Sequence, residues 1–396
     1  MIPRVLLSLL PELRKGYPAV AITGPRQSGK TTLAKQACSD LPYINFESPL
    51  ERVEFNADPQ GFFRRFALGG ILDEVQHVPD LLSYLQVQID ADGAMGRWIL
   101  TGSQQLELGS GVSQSLAGRV ALLDLLPLSY AEAKAADRHP ASLAEAIFRG
   151  GYPALYDANR VLDPSRWLED YLATFVNRDI RTAIEVKNRS AFEIFVRLCA
   201  ARTGQTLNAA ELARDSGIDA KTAASWLSVL EECYIVRRVR PYFRHFGKRL
   251  MKAPKLYFLD TGLACRLLHI SDVNQVVSHP AWGALTETWS IIEILKGRLN
   301  RGLRPSLWYW RTSDGHEVDA VVESGTSLFP FEIKASSTIH RQDLAGIVKL
   351  RDLVGREMGN TVESGGVIYG GDELRAVGID HFIPWHRIDD YVPVKP

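Results

Sequence analysis

The chain has no surplus of charge of either sign. Its 46 Lys and Arg residues balance 46 Asp and Glu, so no net field steers the whole molecule toward a polyanion or a membrane surface, and any such preference must be local. Cysteine is scarce. The four present, Cys38, Cys199, Cys233 and Cys265, include no CxxC pair, which argues against a disulfide framework or a zinc knuckle and fits reduced thiols in a cytoplasm. The nine histidines show no HxH or HExxH spacing, so zinc bound in those patterns is not expected. No stretch approaches the ~20 apolar residues that a spanning helix needs. The apolar opening, Val5-Leu-Leu-Ser-Leu-Leu, is cut by Pro11 and Glu12 and does not read as a secretory signal. No fixed-period repeat or low-complexity tract is present. The expectation is a soluble cytoplasmic protein with no membrane partner.

What is present is an ordinary globular balance, 46% hydrophobic and 23% charged, over 396 residues. That composition excludes a largely disordered or fibrous chain. The length exceeds the ~250–300 residues at which single cores stop growing, so two or three domains are expected. The expected division is 1–185, 186–272 and 273–396.

Ala19-Val-Ala-Ile-Thr is a short apolar run that predicts a buried strand, and Gly24-Pro25-Arg26-Gln27-Ser28-Gly29-Lys30-Thr31-Thr32 follows it before a helical segment. This is GxxxxGK[ST] in strand–loop–helix context. The glycines let backbone N–H groups curl around a phosphate, Lys30 reaches β/γ oxygens, and Thr31 offers its hydroxyl to Mg²⁺ at the positive end of a helix. A second strand, Gly70-Ile-Leu-Asp73-Glu74, ends in adjacent carboxylates at the edge where ligands bind. Asp73 is placed to hold the Mg²⁺ and Glu74 to polarise water. A third, Trp98-Ile-Leu-Thr-Gly-Ser103, ends where a γ-phosphate sensor belongs. Ser103 is the preferred sensor, with Thr101 or Gln104 as alternatives. Arg119, in Ser115-Leu-Ala-Gly-Arg119, is an arginine-finger or sensor candidate acting in cis or across a subunit interface of a homo-oligomer, with a surface ion pair as the plain alternative.

These blocks allow a resemblance to be stated. Residues 19–130, with Gly24–Thr32, Ile71–Gln76, Leu100–Gln104, Ser115–Arg119, Gly150-Gly-Tyr-Pro and Tyr171–Ile180, resemble the AAA+ ATPases of the bacterial and archaeal group whose C-terminal domain is of unknown function, family 4143. The resemblance implies ATP rather than GTP as the cofactor, with Mg²⁺, and a parallel-sheet P-loop NTPase core.

The middle segment predicts three short helices, Ala191–Thr203, one starting near Asn208 and one after Asp219, with those two residues as N-caps and Gly217 in the turn between them. Strand-like Tyr234–Phe243 and Lys255–Asp260 follow, giving the order of a winged helix. Lys221, Thr222 and Ser225 are expected to face outward from the third helix. Between Arg237 and Lys255 stand Arg237, Arg238, Arg240, Arg244, Lys248, Arg249, Lys252 and Lys255 with no acid. Interleaved with Tyr242, Phe243 and His245, this 237–255 run suits contact with a phosphate backbone and makes DNA the expected partner. A packing or protein-binding role is the alternative.

The last third carries Glu287 in a helical stretch, Asp319 in Glu317-Val-Asp-Ala-Val-Val, and Glu332 and Lys334 in Leu328-Phe-Pro-Phe-Glu-Ile-Lys. On a strand, i and i+2 share a face, so Glu332 and Lys334 point together and Asp319 on the neighbouring strand joins them. Carboxylates bind Mg²⁺ through oxygen and a lysine polarises water or phosphate. The arrangement resembles the PD-(D/E)xK phosphodiesterases, which implies Glu287, Asp319 and Glu332 as metal ligands and Lys334 as the catalytic lysine. Pro330 suggests a strand edge or start. The expected whole is a Mg²⁺-dependent ATPase whose nucleotide state controls a winged helix and a nuclease-like module, acting on DNA. The alternative is a nucleotide-controlled protein-interaction switch with an inactive nuclease-like domain.

Overall fold

The computed structural model describes residues 2–103, 116–175, 188–242, 253–312, 314–357 and 361–395. Gln104, Ser115, positions 176–180 of the Tyr171–Ile180 block, and Phe243, Arg244, His245, Lys248, Arg249 and Lys252 of the basic run lie outside them.

Five parallel strands form the first layer: β1 (Ala19–Thr23), β2 (Tyr43–Asn45), β3 (Gly70–Asp73), β4 (Trp98–Gly102) and β5 (Val120–Asp124), in the order β2-β3-β4-β1-β5. β1, β3 and β4 are buried along their whole length, as continuous apolar runs are when helices cover both faces of a parallel sheet. β1 lies inside the sheet between β4 and β5, so the loop after Thr23 emerges within the carboxyl edge, with the end of β4 beside it and that of β3 one strand further. Short helices then cross to a lid that ends in Pro164–Phe175.

Beyond the lid come the helix Arg189–Ala201, β6 (Gln205–Thr206), the helices Ala209–Asp215 and Ala220–Glu232, β7 (Val236–Val239) and β8 (Lys255–Phe258). The three strands pair in the order β6-β8-β7, antiparallel throughout. Asn208 and Asp219 cap their helices as their side-chain chemistry predicts, Asn208 accepting from Glu211 N and Asp219 from the N–H groups of Lys221 and Thr222. Gly217 takes the left-handed turn at φ 67°. Phe192 and Phe195 recur on one face of the first helix, and Trp226 meets both edge-on at 5.0 and 5.3 Å.

The helix Trp282–Leu299 is buried nearly all round, which its dense apolar content demands. It supports a mixed sheet of β9 (Leu307–Arg311), β10 (Glu317–Ser324), β11 (Ser327–Lys334), β12 (Thr361–Val362), β13 (Gly366–Tyr369), β14 (Arg375–Val377) and β15 (Asp380–Pro384). Pro330 is not at a strand start: it lies inside β11, opposite Val321 of β10. Its other side falls where the parallel neighbour changes from β12, paired to Ser327 and Leu328, to β13, paired from Phe331 onward. A residue without an N–H fits that gap in the ladder. A bulge separates the β9–β10 pairs Val318↔Trp310 and Val321↔Trp308, so that Asp319 and Ala320 together face Tyr309. A single apolar cluster runs from Leu126, just after β5, through the middle helices, to Val392.

Candidate functional site

The loop after β1 is shaped by residues that only this backbone path allows. Gly24 has φ 150°, and a Cβ there would meet Leu125 O at 2.2 Å, while Gly29 at φ 97° opens the helix Lys30–Ala37. Lys30 turns back on the loop, donating to Gly24 O and Pro25 O, both at 3.0 Å. Ser28 Oγ is buried with no hydrogen-bond partner among the described residues. An orphaned hydroxyl beside a lysine and a glycine cradle fits a polyphosphate, which supplies the acceptors that this pocket lacks. The cavity holding it measures about 1010 Å³ and includes Lys30, Thr31, Asp73 and Glu74 together with an apolar wall of Ile2, Leu128 and Pro153.

Asp73 ends β3 as a hub. Its Oδ2 accepts from Thr31 Oγ1 at 2.8 Å and from the Tyr43 hydroxyl at 2.6 Å, and its Oδ1 accepts from Thr101 Oγ1. Burial first, and then the hydrogen bond to Asp73, push the Tyr43 phenol far above its ordinary range, so it remains a donor. Thr101 therefore holds Asp73 rather than facing the pocket. Glu74 follows in a left-handed conformation, φ 56° and ψ 48°, which a non-glycine residue adopts at a cost of about 1–3 kcal/mol. Its N–H donates to Thr101 Oγ1 at 3.3 Å, and its carboxylate accepts from Ser103 Oγ at 3.2 Å and from Gln76 Nε2. Gln76 Nε2 also reaches Ser103 Oγ at 3.1 Å. Glu74, Gln76 and Ser103 form a closed polar triangle, of which Glu74 lines the pocket.

Arg119 does not join this group. It precedes β5, its carbonyl accepting from Ala19 N at 3.2 Å, and so lies at the end of the sheet opposite the loop. Its guanidinium pairs with Asp90 at 2.5 Å on the surface. Five extended residues of about 3.3 Å each separate those two ends, which removes a cis role.

Arg4 and Tyr43 complete the site without any motif to announce them. Arg4 is 8% exposed; its Nη1 donates to Ser28 O and its Nη2 to Leu126 O, both at 2.7 Å, while its Nε meets Glu132 at 3.0 Å. A lone arginine near the start of a chain and a lone tyrosine on an edge strand have no spacing to mark them. Gln76 was visible only as a member of the Ile71–Gln76 block.

In the last third, the sequence's carboxylates do come together, but around an ammonium. Lys255 Nζ lies 2.8 Å from Glu287 Oε1, 2.5 Å from Glu317 Oε1 and 3.5 Å from Asp319 Oδ1, and its side chain is 6% exposed. Tyr257 donates to the same Glu287 oxygen at 2.6 Å. Lys255 thus leaves the basic face expected for 237–255 and is consumed inside the protein. Arg238 is also paired, with Glu231. Glu332 hydrogen-bonds Asp319 and lies 3.6 Å from Lys334, the shared face that the i, i+2 spacing requires. Burial, followed by the Asp319 charge, raises Glu332 to about 9 and Glu287 to about 7. Burial lowers the Lys255 ammonium, and the charges of Glu287, Asp319 and Glu317 more than reverse this. Among the described residues no three His, Cys, Asp or Glu side chains are disposed to hold a metal ion. Glu287, Asp319 and Glu332 therefore do not form the expected metal set in this arrangement, because Lys255 has the central position.

A parallel five-stranded sheet, a glycine-framed loop ending in Lys30 and Thr31, and paired acids at the next strand end define a P-loop ATPase of AAA type. Residues 16–134 match the family described as "AAA domain". Residues 140–274 and 282–388 match two domains of unknown function, families 8612 and 4143. The chain is 34% identical over 346 residues to the uncharacterized protein Rv2008c of Mycobacterium tuberculosis, and equally to Mb2031c of Mycobacterium bovis, covering 84% of this chain and 74% of each relative. It belongs to their family. Among solved structures it is similar to the Walker-type ATPase PABY2304 of Pyrococcus abyssi, at 14% identity over 66% of this chain and 94% of that one, TM-score 0.44. It is also similar to the RuvB Holliday junction branch migration motor of Thermotoga maritima, at 17% identity over 59% and 88%, TM-score 0.30. At these scores the likeness carries no weight for fold or function. No helix among the described residues is long and apolar enough to cross a membrane.

Proposed function

We infer that the protein is a Mg²⁺-dependent ATPase whose nucleotide state controls the middle and C-terminal modules on DNA. The observation that carries this reading is the meeting of Lys30, Thr31, Asp73 and Glu74 on one cavity, with Gln76 and Ser103 hydrogen-bonded to Glu74. Thr31 and Asp73 would hold Mg²⁺, which when bound neutralises phosphate charge. Lys30 exchanges its loop carbonyls for phosphate oxygens. Glu74, aimed by Ser103 and Gln76, takes the proton of the attacking water, and the side chain of Ser103 senses the outer phosphate. Ile2, Leu128 and Pro153 supply an apolar slot for a base. Arg119, excluded from its own site, suits a neighbouring subunit's site in a homo-oligomer.

The helix, strand, helix, helix, strand, strand order with sheet order β6-β8-β7 supports the winged-helix reading. The exposed Lys221 and Ser225 and the half-buried Arg237 support DNA contact. The helix carrying Glu287, followed by β9, β10, β11, a helix and β13, supports the nuclease-like reading. The experiment is the ATPase rate measured with and without single-stranded, duplex and branched DNA, together with the salt dependence of binding. Stimulation, with affinity falling steeply as salt rises, is the expected result; its absence returns the protein to the alternative of a nucleotide-controlled protein-interaction switch. One observation favours that alternative, the filling of the acidic cluster by Lys255.

A further inference from the structure

One carboxylate, that of Asp73, is served by hydroxyls from three elements. β3 lies between β2 and β4 in the sheet, and each neighbour sends one donor: Tyr43 of β2 to Oδ2 at 2.6 Å, and Thr101 of β4 to Oδ1. Thr31, at the start of the helix Lys30–Ala37, gives the third, to Oδ2 at 2.8 Å. Asp73 is only 3% exposed, so these side chains rather than bulk water hold it. The three donors are not equivalent. A threonine hydroxyl and a carboxylate are hard oxygen donors that suit Mg²⁺ beside a phosphate loop, and Thr31, as a ligand, answers to the ion. The fixed supports are Tyr43 and Thr101. The last torsion of an aspartate is broad and two-fold, so a hydrogen bond on one oxygen leaves the carboxylate plane free to swing. Bonds on both oxygens, from opposite sides, stop it.

Strand register places Tyr43 for this. Asn45 pairs with Asp73 and Tyr43 with Ile71, so Tyr43 and Asp73 project from the same face of the sheet, two residues apart along it. That offset is about 6.6 Å, which a phenol reaches across and a serine or threonine does not. The helix Lys30–Ala37 carries Thr31 and, one turn on and on the same face, Lys35. Lys35 Nζ stands 3.4 Å from the centroid of the Tyr43 ring, a cation on a π face that steadies the ring. One helix face thus presents both the candidate metal ligand and the cation that holds the tyrosine.

We propose that Tyr43 is a positioning residue for the metal ion: it keeps the Asp73 carboxylate turned to where the ion meets Thr31, and Lys35 holds its ring. The proposal rests on the ATPase reading and adds a residue outside the GxxxxGK[ST] and Asp73–Glu74 blocks, acting on the ion through Asp73.

The test uses the full chain and a non-hydrolysable ATP analogue, first in EDTA and then with Mn²⁺, whose binding is read from the loss of its free paramagnetic resonance signal. Tyr43→Phe keeps the ring beneath Lys35 and removes the hydroxyl. It is expected to bind the analogue in EDTA within about twofold of the unaltered protein, while its Mn²⁺ affinity with the analogue present falls about 10–100-fold, the usual effect of losing an outer partner of a metal ligand. Tyr43→Thr, whose hydroxyl falls short of Asp73, is expected to lose as much. Lys35→Met leaves every Asp73 contact in place and is expected to show a smaller loss in the same direction; it carries the test should Tyr43→Phe fail to fold. Equal Mn²⁺ affinity in Tyr43→Phe and the unaltered protein, or in Lys35→Met where that variant stands in, overturns the proposal and leaves the ATPase reading intact. An equal loss of analogue affinity with and without metal also overturns it, since that marks a distorted cavity. An unaltered protein that binds no analogue, in EDTA or with Mn²⁺, overturns the ATPase reading and the proposal with it.

Discussion

The hydroxyl of Tyr234 lies 2.8 Å from Thr23 Oγ1 and 2.6 Å from Asp124 Oδ1, bridging the ends of β1 and β5 one residue before Gly24. Tyr234 belongs to the turn between the helix Ala220–Glu232 and β7, and it is held at φ 57°. A residue of the middle module thus reads the root of the phosphate loop directly. Tyr234→Phe removes the bond and little volume. Expected are nucleotide affinity within about twofold of the parent and loss of any change that nucleotide makes in DNA affinity, measured by fluorescence anisotropy with and without a non-hydrolysable analogue; unchanged coupling would show that the contact is only packing.

Lys30→Ala is expected to abolish nucleotide binding. Glu74→Gln keeps the size and the Ser103 contact while losing the base, so binding should survive and turnover should fall by about 10²–10⁴-fold, the usual worth of a placed general base. Single-turnover kinetics separate the two. Normal turnover in Glu74→Gln would reassign the base.

Arg4 supports the loop from behind, through Ser28 O, and neutralises the buried Glu132. Arg4→Ala leaves that carboxylate without its cation, held only by the N–H groups of Val5 and Ser129, at a cost of about 3–5 kcal/mol. The variant should melt markedly earlier and need more ATP for half-maximal rate. In Arg4→Met/Glu132→Gln the stability should largely return while the ATP requirement stays high, because Ser28 O still lacks its donor. Recovery of both would deny Arg4 a role in shaping the loop.

Glu332 gives the pH dependence a sign. A carboxyl raised from 4.5 to about 9 on folding binds its proton more tightly in the native state, so its stabilising contribution is complete below 4.5 and is lost as pH rises toward 9. Glu332→Gln should therefore raise the unfolding midpoint at pH 8 by several degrees relative to the parent and change it little at pH 4. Midpoints measured across that range check the slope; a stabilisation greater at pH 4 than at pH 8 would contradict it.

The ATPase core was legible because its chemistry is local. Lys30 and Thr31 follow a glycine loop, and Asp73 and Glu74 end an apolar run, so spacing alone places them at one sheet edge. Asn208 and Asp219 were readable as caps for the same reason. Lys255 was misread because its eight-base neighbourhood dominates the count, while its real partners stand 32 and more residues away on other elements. Arg119 was ambiguous until strand order fixed which end of β5 it begins. Pro330 misled because its tolerance depends on a change of neighbour from β12 to β13, which no residue of β11 reports.

The helix Trp282–Leu299 reaches back to the first module: Glu293 accepts from Tyr130 N at 2.7 Å, and Lys296 donates to Leu128 O at 2.8 Å. Leu128 also borders the nucleotide cavity. A chain severed ahead of Trp282 would bare an oily trough along the lid and strip the Leu128 carbonyl of its donor beside the ATP pocket. Engine and payload share one keel, so neither can be swapped for a foreign part without rebuilding the other.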